Sequence, residues 1–446
     1  MSHLIKQDAI ALLDRFDPEM ASLLHQEERR QYETIGLIAS ENVVSPLASC
    51  LEGSVFTNKN TEGYPGKRFV GGCQLADQAE LLALERVKRV FGAEHANIQS
   101  GNATIANMAV LYGLLEPGDT FMGMTLDNGG HLSHGAKFHF SGREFHAFHY
   151  GVNRETERID MDQVRQIARE HRPKLIVTGA SSYPRTIDYA AFREICDEVG
   201  AYLWVDCAHD CGLIAGGAIP SPVPYADVVT MSTQKTLRGP RGCGVILCRE
   251  ALGAALDRAV FPRIQGGPKG DMLAARGVLF LELLQPEFRA YARQVCANAK
   301  ALARGCQDEG LRLITGGTDT HMVMLDVTPV IESGQAAETL LCSVGFITNK
   351  NMIPYDPLPA SLSSGLRIGS PTMTTRGAKE EEMYHIGRLL GRALHHKDDP
   401  AELKRIASET RQIAVAHPMF SSEWISPNIR ADFEAMYCRP GGWGES

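Results

Sequence analysis

Apolar residues recur at helical spacing near the start of the chain, where Ala9, Ile10, Leu12, Leu13 and Phe16 share one predicted face. Asp17-Pro18 ends that helix, and HQEERRQYE after it reads as a solvated helix face. DQAELLALERVKRVFG and TIANMAVLYGLLEPGD also read as helices, the second closed by a Pro-Gly turn. The period then changes. KLIVTGA, AYLWVDCAH, ADVVTMST and GCGVILC are short apolar runs, and YAAFREICDEVG between the first two is a helix stopped at Gly200. Strands alternating with helices predict an α/β protein with a doubly wound, mostly parallel sheet. Ligands of such sheets sit beyond the carboxyl ends of strands, which here points to Ser181, Ser182, Asp206, His209 and Lys235. After about Pro286 the pattern suggests a smaller α+β unit, with a long helix around YARQVCANAKALARG, a strand HMVMLDV and a polar helical tail. The expected organisation is an arm at 1–55, a large domain at 56–285 and a small domain at 286–446.

Composition narrows the function. The 446 residues allow two or three domains, or one large domain with an appendage, and being 44% hydrophobic and 22% charged they read as a globular protein. A net charge of −8 argues against a nucleic-acid partner, which calls for a basic face, but leaves room for a local basic pocket. No apolar run approaches the roughly 18 residues of a membrane span, and the N-terminus lacks a signal-peptide pattern. The 11 cysteines are scattered, without a CxxC pair, which suits reduced thiols in the cytoplasm.

TMSTQKTLRGPRGCG, at 230–244, carries the most informative lysine. At a strand end within a partly buried site, Lys235 loses charge stabilisation and becomes an amine nucleophile. Two other readings are a surface turn and a phosphate-binding loop, although the glycines that GxxxxGK[ST] requires are missing. Asp206 ends a predicted strand, where a carboxylate either holds a cationic ring nitrogen or caps a helix. His131 and His134 have the spacing of a metal pair on one helical face. The glycines around them argue against a helix, so no metal site is expected. Lysine, strand-end aspartate and glycine-rich turn occur in the order expected for lysine-bound pyridoxal phosphate.

LIASEN, TNKNTEGYPGKRFVGGC, GGHLSHG, VDCAHDCGLIAGG, QKTLRGPRG, QGGP, TNKN and SGLRIGSPTMTTRG together resemble the serine hydroxymethyltransferase family, in its order, over residues 37–377. The resemblance implies a fold-type I pyridoxal phosphate enzyme with tetrahydrofolate as co-substrate. It also implies a homodimer, or a tetramer built from dimers, with sites shared between subunits. Lys235 resembles the lysine that bonds the cofactor, and Asp206 the partner of its ring nitrogen. His209 resembles the residue near the cofactor's phenolic oxygen, with Ser181 in the neighbouring position. His131 matches the ring that stacks on the cofactor, and Gly266 and Gly267 the pair whose backbone meets the partner subunit's phosphate. Gly101, Asn102, Ala103 and Thr104 stand in the phosphate loop. Arg367 matches the grip on the substrate carboxylate, Ser40 its neighbour, Arg241 an arginine beside the site, and Glu62 the acid/base carboxyl. Leu126, Leu132, Phe261, Asn351 and Phe69, the last in place of a tyrosine, match folate-facing positions.

The chain departs from the family in four places. Gln234 replaces a histidine, Asn60 and Val70 each replace a tyrosine, and the phosphate loop has its own sequence. The loop still offers backbone N–H groups, a threonine hydroxyl and a helix N-terminus to a phosphate. Loss of two phenols implies a roomier pocket beside the substrate's Cα. The expected activity is folate-linked hydroxymethyl transfer on a β-hydroxy amino acid, either α-methylserine with D-alanine or serine with glycine. A folate-independent aldolase or transaldolase is the alternative within this chemistry, and a non-catalytic ligand-binding relative is the alternative outside it.

Overall fold

The computed structural model describes residues 2–437; Cys438 lies outside them. Two helices open the chain, α1 (Ser2–Phe16) and α2 (Pro18–Glu33), and Asp17 between them caps the second by accepting from the Met20 N–H at 3.0 Å. The expected break at Asp17-Pro18 is therefore also a helix start, because proline suits a first turn that needs no N–H partner. Two long helices follow, α3 (Gln74–Phe91) and α4 (Ala103–Leu114).

The large sheet has seven strands: β1 (His95–Asn97), β2 (Thr120–Met124), β3 (His146–Tyr150), β4 (Leu175–Thr178), β5 (Tyr202–Asp206), β6 (Val228–Ser232) and β7 (Gly244–Cys248). Their spatial order is β1-β7-β6-β5-β4-β2-β3. The five from β6 to β3 pair in parallel, whereas β7 runs antiparallel to both β6 and β1. Helices α5 (Met161–His171) and α6 (Tyr189–Val199) are crossovers between parallel strands, and α6 ends on Gly200 at φ 74°. β4 to β7 are buried along almost their whole length, which explains runs of apolar residues in place of alternation.

Helix α7 (Gly270–Leu283) packs on α3, and α8 (Pro286–Asp308) follows it after a two-residue turn. α8 belongs to two cores. Phe288, Tyr291, Ala292 and Val295 pack with the large sheet, and Ala301, Leu302, Ala303 and Cys306 with the C-terminal unit. That unit is built on an antiparallel sheet, β8 (Arg312–Leu313), β9 (Met322–Asp326), β10 (Asn349–Asn351) and β11 (Gly365–Gly369), in the order β8-β9-β11-β10. The tail is not simply polar. α9 (Glu380–His395) buries Met383, Ile386, Leu389, Leu390, Ala393 and Leu394, and only the outer face of this amphipathic helix carries charge. α10 (Pro400–Ala416) follows. The opening arm joins the same unit: Ile35–Gly36 pairs in parallel with Phe346–Ile347, and Ile35 and Leu37 are fully buried there. No helix among the described residues is long and apolar enough to cross a membrane.

Candidate active site

The carboxyl ends of β4, β5 and β6 converge with β11, and the loops after them carry the candidate residues. Asp206 is the last residue of β5 and does not cap a helix. Its Oδ2 accepts from Asn107 Nδ2 at 2.7 Å and lies 3.1 Å from His134 Nε2, while Oδ1 accepts from the Ala208 N–H at 3.0 Å. Burial works to raise its pKa, but the His134 hydrogen bond and the nearby His131 and Lys235 hold the carboxyl well below the usual carboxylate range. An ionised, acceptor-only group at a strand end suits a protonated ring nitrogen.

Lys235 follows β6 by three residues. Burial pulls its ammonium down to about 8, against the attraction of Asp206. Its carbonyl accepts from Asn42 Nδ2 at 2.9 Å, and that amide also donates to the Tyr291 hydroxyl at 2.8 Å. The lysine backbone is thus tied to the arm and to α8. Beside it, the Gln234 Oε1 is buried and has no hydrogen-bond partner among the described residues.

His131 precedes a single 3-10 turn, Leu132–His134, closed by Gly135 at φ 104°. The glycines do exclude a long helix, but this one turn carries both histidines to Asp206. Ligating atoms of His131, His134 and Asp206 all lie within 4.8 Å of one another. Hydrogen bonds already join the cluster: His131 Nδ1 lies 2.7 Å from the Ser133 hydroxyl, which accepts from Asn107 at 2.8 Å, and His134 bonds Asp206. Burial brings the His131 ring down to about 4, leaving a neutral face for stacking. His209 is buried and held neutral by that burial and by Lys235 and Arg367.

Arg367 lies at the centre of β11, opposite Met324 and Asn349. Its Nη1 donates to the Ser181 carbonyl at 2.6 Å and hydroxyl at 3.2 Å, its Nη2 to Asn349 Oδ1 at 3.4 Å, and its Nε has no partner among the described residues. Burial lowers its pKa to about 10. Ser40 is brought towards the end of the same strand, because the Gly369 N–H donates to the Leu37 carbonyl at 2.7 Å. A Cβ on Gly369 would meet Ala39 at 2.8 Å. Exposed Arg241 lines a cleft with Glu41 and Asn42. In the loop before α4, the Asn102 side chain caps the helix through the Ile105 N–H at 2.9 Å, and Gln265 Oε1 accepts from the Gly101 N–H at 3.1 Å. Thr104 stands in that first turn, so a helix N-terminus faces the approach.

A second cluster forms apart from the first. Asn60 bridges Lys269, and the Asn60 Oδ1 accepts from the Glu62 N–H at 3.0 Å. A Cβ on Gly267 would meet that same Glu62 nitrogen at 2.9 Å, so Gly267, next to Gly266, must lack one. Arg68, paired with Asp77 at 2.8 Å and Glu80 at 2.5 Å, donates to the Thr61 carbonyl at 2.6 Å and anchors this loop on α3. Phe69, 73% exposed, meets Phe261 edge-on at 5.6 Å, and Val70 lies beside it. Among the described residues, no hydrogen bond, ion pair or ring contact joins Asn60, Glu62, Phe69 or Val70 to Lys235, Asp206, His209 or Arg367. Leu126 and Leu132 stand partly exposed near His131, and Asn351 ends β10 with its amide on the Met352 carbonyl.

Sequence reading passed over Asn107, Asn42 and Asn349, and weighed His134 only as a metal partner of His131; all four orient the named residues from distant segments. The residues present fit pyridoxal phosphate: an enclosed lysine of lowered pKa, an ionised buried carboxylate, a helix N-terminus, and the polar atoms Arg367 Nε and Gln234 Oε1, buried without a protein partner.

Comparison with known proteins agrees with this geometry. The family model for serine hydroxymethyltransferase matches residues 13–390. The serine hydroxymethyltransferase of Myxococcus xanthus (strain DK1622) is 51% identical over 413 residues, covering 93% of this chain and 99% of that protein. That of Koribacter versatilis (strain Ellin345) is 49% identical over 408 residues, covering 92% and 96%. That of Synechococcus sp. (strain JA-3-3Ab) is 49% identical over 427 residues, covering 93% and 98%. The chain therefore belongs to the serine hydroxymethyltransferase family, fold-type I enzymes that use pyridoxal phosphate as cofactor and tetrahydrofolate as co-substrate.

Proposed function

We propose that this enzyme interconverts α-methylserine and D-alanine in preference to serine and glycine, passing the one-carbon unit to tetrahydrofolate. The observation that carries the choice is at Asn60. Its short side chain is turned back onto the Glu62 N–H of its own loop, and Val70 nearby offers no phenol. In the family a tyrosine reaches the partner subunit's cofactor phosphate at the first position and another lines the substrate at the second; both replacements leave space near the reacting carbon, and a substituent on Cα needs that space.

Each residue has a proposed task. Pyridoxal phosphate, when bound, supplies the electron sink for the bond broken at Cα. Lys235 is the amine that holds it, and the lowered pKa keeps a useful fraction of that amine uncharged near neutral pH. Asp206, oriented by Asn107 and His134, keeps its charge and so favours a protonated ring nitrogen. The His131 face packs on the ring, with His209 and Ser181 around it. The helix N-terminus at Gly101, Asn102 and Thr104 takes the phosphate. Arg367 leaves the Ser181 carbonyl and presents its fork to the substrate carboxylate, with Ser40 and Arg241 alongside. Glu62 moves the proton of the substrate hydroxyl. Phe69, Phe261, Leu126, Leu132 and Asn351 receive the folate.

Asn60, Glu62, Gly266 and Gly267 act in the site of a second subunit. The separation of the two clusters within one chain supports that homodimer. Exposed Val55, Leu75, Leu81 and Leu82 supply apolar surface for it. The ten cysteines among the described residues are free, which suits a reducing, cytoplasmic setting. The test is kcat/KM for α-methylserine and L-serine with tetrahydrofolate. The α-methyl substrate should be turned over more efficiently; a clear preference for L-serine refutes the reading.

A further inference from the structure

Behind His209 lies a polar chain that the proposed mechanism does not use. His209 Nδ1 is 3.3 Å from His321 Nε2, with the two rings nearly parallel at 20°. His321 is fully buried just before β9, on the C-terminal unit, while His209 and Asp210 follow β5 on the large sheet. On the far side of the His321 ring, Nδ1 is 3.5 Å from Asp210 Oδ1. Both of those atoms are buried, and among the described residues neither has a hydrogen-bond partner. An unpaired buried carboxylate oxygen and an unpaired imidazole nitrogen facing each other are costly unless they interact.

Donor and acceptor counting fixes the direction of this chain. An ionised carboxylate only accepts, so His321 Nδ1 carries the proton. A neutral His321 then has a bare Nε2, which accepts from His209 Nδ1–H. His209 is left with a bare Nε2, its other ring nitrogen, on a buried ring that feels the charges of Lys235 and Arg367. We propose that Asp210 is a positioning residue which, through His321, fixes His209 in the Nδ1–H tautomer and so presents a hydrogen-bond acceptor to the cofactor's phenolic oxygen. This rests on the site reading above, in which His209 lies near that oxygen.

Asparagine at 210 tests the direction, because it is nearly isosteric yet can donate. Its NH2 supplies a proton to His321 Nδ1, His321 donates to His209, and His209 Nε2 becomes a donor. The readout is the visible band of the lysine-bound cofactor in the holoenzyme, titrated with pH. An acceptor beside the oxygen favours the protonated form of that chromophore, and a donor favours the deprotonated form. Asp210→Asn should therefore lower the titration midpoint by about one pH unit or more. His321→Asn, which cuts the chain, should lower it as well, and the double variant should shift no further than His321→Asn alone. Among the other groups that feel the Asp210 charge, Lys235 titrates at about 8 without cofactor, and in the holoenzyme that lysine carries the chromophore being read; His321→Asn, which keeps the Asp210 charge, separates the tautomer from that direct effect. Burial pushes Cys211 and Cys296 up to about 12 and raises Tyr189 and Cys207 further from their ordinary range.

A midpoint unchanged or raised in Asp210→Asn, with the band and melting temperature intact, overturns the proposal. If that variant does not fold, His321→Asn decides by the same criterion, a lowered midpoint supporting the proposal and an unchanged or raised one overturning it. A wild type with no visible band overturns the site reading and this proposal with it. A normal band whose midpoint ignores both residues overturns this proposal alone.

Discussion

Replacing Lys235 with methionine should make the cofactor-free protein more stable, by an amount that shrinks as pH rises. Methionine keeps the length and apolar stem but removes the buried ammonium. In the unfolded chain the lysine titrates near 10.5, whereas in the folded site it titrates at about 8. Below pH 8 both states are protonated, and the folded state alone bears the burial cost. The gap of about 2.5 pH units corresponds to ~3 kcal/mol at pH 7, an upper bound because the residue keeps some open surface. Between pH 8 and 10.5 the unfolded state holds the extra proton, so raising pH stabilises the wild type. At pH 9.5 the remaining penalty is about 1 kcal/mol. Asp206 stays ionised throughout this range, and its attraction for the ammonium is already contained in the folded-state value of about 8. The assay is urea unfolding of cofactor-free wild type and Lys235→Met at matched protein concentration, at pH 7 and pH 9.5. The stability difference between the two proteins should fall by about 2 kcal/mol. A difference that stays constant refutes the claim that Lys235 is charged at a cost.

Arg367→Lys keeps the charge but loses the fork, and should raise KM for the amino acid by about 10- to 100-fold while changing kcat less; steady-state kinetics check this. Mixed and refolded Glu62→Gln and Lys235→Met proteins, each inactive alone, should recover up to about a quarter of wild-type activity if sites are shared across a two-fold axis, and none if each chain is self-contained. Buried Arg376 donates to carbonyls of Gln31, Tyr32, Thr34, Ala414 and His417, so Arg376→Met should cost about 3 kcal/mol in chemical denaturation and release the arm to proteolysis.

The parallel core was legible because buried strands read as short β-rich runs, and the turn to antiparallel at β7 was legible only in hindsight. A parallel return from β6 needs a crossover of a dozen or more residues, usually helical, but only the Lys235 loop separates β6 from β7. Direction is not encoded in the apolarity of a strand, so attention to loop length was the missing step. α9 was underread for another reason: its many charges hide an apolar stripe at 3.6-residue spacing. Within the site, Lys235 and Asp206 stood out because local pattern places them at strand ends. Asn107 and His134, which hydrogen-bond the Asp206 carboxylate, lie 99 and 72 positions away in sequence. The Asn42 contact to the Lys235 carbonyl spans 193. Such contacts arise only when the fold brings distant loops to one sheet end, and no local spacing announces them.

Borohydride reduction of the holoenzyme followed by peptide mass mapping tests the site assignment most directly. Hydride should fix the cofactor to the peptide that carries Lys235, and substrate added beforehand should protect that lysine. Attachment at any other lysine, or none despite a visible band, would contradict the account.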